Sequence, residues 1–371
     1  MSTLPISTSL PVEHLSASFD NVTNSYKFYW FLAILDHVRK KQTRVIPVSQ
    51  LTSCMIAQVW YPTNYFRLSF GKQDRLGRIT LSVGASAVLP IDSKQSQVVQ
   101  TVLDILSGAS ALSREIESLQ TYVPYRFLRP FFSRELIGLK DAMINSKIEK
   151  LAASRYDEAD SPCLYRFTSA PEFSIEIHPT WFEYLYKHFS ILTGFCMWHL
   201  VAYLQKNNPN VPGIPSKLEE PSQRNLKHAK ELWKIAFEKL EKMNCIYSGQ
   251  EMMSNEISLD HFLPWRFVAH DLLWNIVPTP RKVNSAKSDN LPSMERYFEG
   301  FANIQYLAVQ VAATVEKASL LEDHILLAKV ESAKELKDMS LPKFREILYD
   351  TLAPQIQIAT NMGFVNSWEY K

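Results

Sequence analysis

The hydrophobic pattern of this chain repeats at helical spacing over most of its length, with only short interruptions that alternate. Residues 24–41 begin with capping residue types and end in a basic cluster. Tyr26, Phe28, Tyr29, Trp30, Phe31, Leu32, Ile34 and Leu35 leave that stretch almost no polar face, which predicts a buried helix. Residues 45–60, 96–119 and 133–153 read as further helices. The segment 65–89 mixes turn residues with alternation and predicts a small hairpin or a loop. Residues 154–163 are acidic and loop-like, and FSIEIHP after them reads as a short strand. A long apolar helix is expected from Trp181 to Leu204, then a breaker at 207–215 (NNPNVPGIP), then a charged amphipathic helix from Pro221 to Lys242. Residues 294–335 predict one or two helices and 341–361 another.

These elements predict a mainly α protein. Ten glycines in 371 residues fit a helical chain, and the length allows two or three domains. The expected division is 1–206 as a helical N-terminal domain for recognition or regulation, 207–240 as linker and amphipathic helix, 241–300 as a separate small module, and 301–371 as C-terminal helices. The polar start, MSTLPISTSLPVEH, reads as a loose tail and not as an apolar leader. No segment reaches the ~18 uncharged apolar residues of a membrane span, so no membrane partner is expected.

Charge narrows the picture little. A net charge of +2 is compatible with nucleic-acid binding, but any such surface has to be a local patch. One candidate is YVPYRFLRPFF at 122–132, where aromatics flank Arg126 and Arg129 and could stack bases while pairing phosphates. The reading adopted is a proline-bounded linker with its aromatics turned inward. Cys54, Cys163, Cys196 and Cys245 form no CxxC pair and no disulfide framework, which points to a reducing, cytoplasmic setting. His188 and His199 lie eleven apart on one predicted helix, a spacing better suited to packed histidines than to a metal pair.

The chemistry concentrates in residues 260–293, DHFLPWRFVAHDLLWNIVPTPRKVNSAKSDNLPS. An Asp-His pair ends an apolar run, Asn275 follows His261 by fourteen residues, and Asn284 stands nine further on, before Lys-Ser-Asp-Asn-Leu-Pro. This combination resembles the HNH family of metal-dependent nucleases, in its His-Asn-Asn variant, and its spacing is similar to the HNH domain of RNA-guided CRISPR nucleases. The resemblance covers roughly 241–293 and implies a ββα-metal module embedded among the helical N- and C-terminal regions.

Carried over residue by residue, the resemblance implies a general-base role for His261. Asp260 and Asn284 become metal ligands, and Asn275 ties the intervening loop so that His261 is held in orientation. Lys287, one helical turn after Asn284, is expected to meet the scissile phosphate, with Arg281 and Lys282 adding contacts to the nucleic-acid backbone. Two oxygen ligands suit Mg²⁺ or Mn²⁺. His270 has no matching role. Many relatives carry two CxxC pairs on a structural zinc; here Cys245-Ile-Tyr-Ser248 holds one cysteine, so no structural zinc is expected. The module is instead expected to be held by packing of Trp265, Phe267, Leu273, Trp274 and Ile276 against neighbouring helices.

The function implied is a DNA endonuclease leaving 5′-phosphate and 3′-hydroxyl ends, with RNA as a further substrate class. By family habit it would serve restriction or anti-phage defence, with a homo-oligomer or a defence-system protein as partner. The competing reading is a partner-dependent or inactive HNH subunit that binds nucleic acid.

Overall fold

The computed structural model describes residues 4–371 except 21, 42, 159–161, 222–223, 241 and 316. Residues 1–3 of the expected tail and 159–161 of the expected acidic loop therefore lie outside the described residues. The described chain is mainly α, with sixteen α-helices and two small sheets. It divides into two compact units: Met1–Pro209 with Lys217–Glu220, and Asn210–Ser216 with Pro221–Lys371. Among the described residues no helix is long and apolar enough to cross a membrane.

In the first unit the aromatic helix Tyr26–Lys41 is buried along most of its surface, with Trp30, Phe31, Ala33 and Ile34 wholly inaccessible. Ser174–Ile177 is the central strand of a three-stranded antiparallel sheet, flanked by Val45–Pro47 and Tyr165–Thr168. Several sequence expectations change here. Residues 65–89 form no hairpin; Leu76–Ala87 is a helix, started by Asp74, whose Oδ1 accepts the Leu76 N–H at 2.8 Å. Its alternation was misleading because Leu76, Ile79, Thr80 and Val83 are also spaced i, i+3, i+4, i+7, and they are the buried set.

The expected linker at 122–132 is helical. Ala111–Phe127 runs through Pro124, and a 3₁₀ turn at Arg129–Phe132 follows. Most of its aromatics turn inward: Phe127 and Phe132 are fully buried and Tyr125 stacks on Phe167 at 4.4 Å, while Tyr122 is exposed. The helix expected over 133–153 is Asp141–Tyr156. The helix expected from Trp181 to Leu204 breaks at His188, giving Pro179–Lys187 and Phe189–Asn207. His188 packs on Tyr184 and His199 on Phe195. Residues 4–14 are no loose tail: Leu4, Leu10 and Val12 are buried, and the Pro5 carbonyl accepts the Tyr184 hydroxyl at 2.7 Å.

The second unit is built on an apolar cluster shared by the helices Lys227–Lys239, Met294–Thr314 and Leu341–Asn361 and by a two-stranded hairpin, Ile257–His261 with Ile276–Pro280. Phe262, at the end of the first strand, meets Phe301 with ring centroids 4.1 Å apart. Three side chains from the helices also bond to the backbone at the start of the second strand. Trp233 Nε1 donates to the Ile276 carbonyl at 3.2 Å, Gln305 Nε2 donates to the Leu273 and Ile276 carbonyls, and Asp323 accepts the Leu273 N–H at 2.8 Å. A small module thus gains rigidity from surrounding helices that it cannot supply from its own core.

Behind Gln305 sits His324, fully buried, with Nε2 donating to Gln305 Oε1 at 3.0 Å. Burial pushes its pKa down to about 3. A folded-state value below the unfolded one means that stability is fully present above pH ~6.5 and is lost as pH falls, at about 1.4 kcal/mol per unit, until the folded value is reached. Chemical denaturation at pH 7 and pH 5 is expected to show this slope, and a His324→Gln variant to lack His324's share of it. Equal slopes in the two proteins would rule the contribution out.

Candidate active site

The strand Ile257–His261 pairs antiparallel with Ile276–Pro280, placing His261 opposite Ile276 and Asp260 opposite Val277. The helix Arg281–Lys287 starts directly after the second strand. Strand, strand and helix therefore follow in the ββα order, with the loop 262–275 between the strands.

Asp260 and His261 are neighbours on a strand, so their side chains leave on opposite faces. Among the described residues they have separate side-chain partners. Asp260 is buried; its Oδ2 accepts the Tyr247 hydroxyl at 2.7 Å and its Oδ1 accepts from Lys287 Nζ at 3.1 Å. His261 is also buried, and its Nε2 meets Asp271 Oδ1 at 2.9 Å. Burial raises the Asp271 carboxyl, but bonds from His261 and from the Asn225 N–H, with the charges of His261 and Arg224, hold it below its ordinary value overall. The Asn225 bond is 2.6 Å, and the Arg224 guanidinium lies over the Trp265 ring at 5.6 Å. The segment before the helix Lys227–Lys239 thus supports the carboxylate that holds the imidazole.

Asn275 is fully buried and clasps the chain just beyond His261. Its Oδ1 accepts the Leu263 N–H at 2.8 Å, its Nδ2 donates to the Leu263 carbonyl at 3.0 Å, and its own carbonyl accepts the Phe262 N–H at 2.8 Å. The two ends of the loop are joined by these three bonds. Asn284 fastens the helix to the first strand, with Nδ2 donating to Ser258 Oγ at 2.9 Å and to the Leu259 carbonyl at 3.2 Å. Its nitrogen is thereby fixed, and among the described residues its Oδ1 has no donor from the chain.

Lys287 departs from expectation. Its side chain is fully buried, and Nζ donates to Asp260 Oδ1 and, at 2.7 Å, to the His261 carbonyl. An ammonium so held is not offered to a phosphate. The physical reason is Asp260 itself: a carboxylate buried beside one hydroxyl needs a cation, and Lys287 at the last turn of the helix reaches it. Arg281 and Lys282, at the first turn, are exposed and have no carboxylate partner among the described residues.

Trp265, Phe267, Leu273, Trp274 and Ile276 are all buried. Cys245 Sγ lies 3.3 Å from Thr279 Oγ1, in a turn closed by the bonds from Cys245 N to Gln250 O and from Gly249 N to Cys245 O. Gly249 takes φ +71°, which glycine adopts without strain. The turn carries Tyr247, whose ring packs on Tyr297 and Trp368 while its hydroxyl reaches Asp260.

The sequence reading missed Asp271 and Tyr247. Asp271 had a signal: it is the one carboxylate in the mostly apolar loop between His261 and Asn275. Tyr247 had none, because its partner is set by how the 245–250 turn folds back.

Among the described residues no group of three or more His, Cys, Asp and Glu is placed to hold a metal ion. What is present is two hard oxygen donors, the Asp260 carboxylate, already holding a cation, and the unbonded Asn284 Oδ1. That donor set fits an oxygen-preferring ion whose remaining ligands come from substrate and water, as is usual for Mg²⁺. A family model described as HNH endonuclease matches residues 245–293. No curated protein and no solved structure matches the chain. The match is to the HNH family as such, whose members generally use a divalent metal, and it does not single out RNA-guided nucleases. By this match and this strand-strand-helix order, the segment 245–293 belongs to the HNH endonuclease family, which acts as nucleases on nucleic acid.

Proposed function

We propose that this protein is a metal-dependent endonuclease that hydrolyses DNA phosphodiester bonds, with His261 as general base. The observation that carries the reading is the bond from His261 Nε2 to Asp271 at the end of the first strand. A carboxylate acceptor places the ring proton on Nε2 and leaves the Nδ1 lone pair to take a proton from water. Asp271 is thus a positioning residue: it sets the tautomer and the ring plane, and its charge stabilises the imidazolium formed as the proton arrives.

Asp260 and Asn284 would hold the ion, which when bound supplies positive charge to phosphate oxygens as they become more negative. Lys287 holds the Asp260 carboxyl in place, and by bonding the His261 carbonyl it ties that group to the base's own backbone. Asn275 holds the strand end on which both residues stand. Arg281 and Lys282 would bind phosphates flanking the cut, giving affinity without sequence preference.

The reading is tested on supercoiled plasmid with Mg²⁺ or Mn²⁺, against chelator, with RNA and single-stranded DNA in parallel. Absence of cleavage under every metal sinks it. Asp271→Asn is expected to slow nicking by about 10- to 100-fold with DNA affinity unchanged. A rate within about two-fold of wild type would remove Asp271 from the mechanism.

One observation favours a second reading, a nucleic-acid-binding HNH subunit inactive on its own: the Asp260 carboxylate is engaged on both oxygens. DNA binding without cleavage, with cleavage appearing only when a partner is added, would select it.

A further inference from the structure

The stretch 122–132, read from sequence as an inward-packing linker, also contributes to a cavity within the first unit, about 570 Å³ in volume. Its walls come from the start of the helix Tyr26–Lys41, from Gln73 and Arg75, and from the helix Ala111–Phe127 with the turn after it. The volume is that of a small-molecule site.

Four cations line it, and they are not equivalent. Arg126 is committed to Asp141, with Nη1 and Nη2 at 2.7 and 2.9 Å from the two carboxylate oxygens. Arg75 shares Glu115 at 3.6 Å. Lys27 and Arg129 make no ion pair among the described residues, although the charge of Arg129 acts on the nearby Asp141. The nearest buried acid on this side of the unit, Asp74, is used by the N–H groups of Ser25 and Leu76. Burial, with Arg129 adding to it, lowers the Lys27 pKa to about 8, so its ammonium is still mostly present at neutral pH. Arg129 is exposed and Lys27 half-buried, so the two cations face the cavity without a full shell of protein partners and an anion there would join them.

The remaining walls specify more than an anion. Tyr26 and Tyr122 present phenol rings, and the Tyr26 ring is fixed because its hydroxyl accepts the Arg75 N–H at 2.7 Å. Asn24 Oδ1 is buried with no donor from the described chain, and it calls for an N–H or O–H on the ligand. Phosphate alone would leave the rings and this acceptor unused.

We propose that this cavity binds a free nucleoside phosphate. The phosphate lies between Lys27 and Arg129, the base lies against Tyr122, and a sugar hydroxyl or base amine donates to Asn24. A recess of about 570 Å³ matches a mononucleotide better than a strand that must run on past it.

The full-length protein is titrated by calorimetry with adenosine and guanosine 5′-phosphates, the parent nucleosides, inorganic phosphate and a short single-stranded oligonucleotide. At least one nucleoside phosphate is expected to bind with Kd below about 1 mM, and about ten-fold or more tighter than nucleoside or phosphate alone. Lys27→Met and Arg129→Met are each expected to weaken it by about ten-fold or more. Lys27→Met should melt no lower than wild type without ligand, because it removes a half-buried cation that makes no ion pair. None of these residues lies within 245–293, so a chain inactive as a nuclease leaves the result unaffected. Absence of nucleoside phosphate binding, unchanged affinity in both variants, or tighter binding of the oligonucleotide would each overturn the proposal.

Discussion

A His261→Ala protein is expected to relax supercoiled plasmid about 10²- to 10⁴-fold more slowly than wild type, the range that a positioned general base contributes. The loss should fall on kcat, because the imidazole binds neither the flanking phosphates nor the ion. DNA affinity is therefore expected to stay with Arg281 and Lys282. The fold should survive the change. Asp271 keeps the Asn225 N–H at 2.6 Å and the charge of Arg224, so its carboxylate is not left without partners. The loop beyond it keeps the three bonds made by Asn275, none of which uses the imidazole. His261→Gln is the companion variant: it fills part of the same space and can bond Asp271, but its amide cannot take the proton. Nicking by either variant at the wild-type rate would remove His261 as the base. Wild-type activity lost together with thermal stability in both would assign the residue a structural role instead.

The site was legible in the sequence to the extent that its geometry is local. Strand, strand and helix follow from residue types whose spacing is read along one chain. Asn275 belongs to this class, since its partners at 262–263 close a single loop. Asp271 was legible as the one carboxylate between His261 and Asn275, whereas Lys287 and Tyr247 were illegible in their present roles because each depends on a side chain crossing between elements. Lys287 was expected on a phosphate because i+3 spacing put it on the face of Asn284; the same spacing serves equally to bring it under Asp260. In the first unit, the misread stretches are those where two periods coincide. Leu76–Ala87 carries both an alternating and a helical pattern, and the helical set is the one that is buried. The break at His188 left no mark in the apolar pattern, which runs on unbroken through both helices. The cavity with Lys27 and Arg129 joins residues a hundred positions apart, so sequence spacing alone could not show it.

Lys287→Met is expected to be the most destabilising single change near the site, by about 3–5 kcal/mol, because it leaves a buried carboxylate without its cation. Asp260 is 4% exposed and Lys287 0%, so water cannot take over the lost interaction. Tyr247 alone remains on Asp260, and its hydroxyl is a poor proton source: burial, and then the Asp260 charge, raise its pKa well above the ordinary value. The size of the loss separates two causes. If it arises from the stranded charge, the double variant Asp260→Asn with Lys287→Met should recover a large part of it, since a neutral amide needs no counterion. If it arises from lost packing of the lysine stem, the double variant should be no more stable than the single one. Divalent ion adds a third reading of the same carboxylate. With Lys287 absent, Mn²⁺ is the available cation for Asp260, and it should raise the unfolding midpoint of Lys287→Met while moving wild type much less, as expected when an ion binds only the folded form. Denaturant unfolding of the three proteins, with Mn²⁺ and with chelator, measures all of this without reference to cleavage. An unfolding midpoint for Lys287→Met equal to wild type would show that Asp260 does not depend on the lysine, and the account of how the base and the ligand carboxylate are tied together would fall with it.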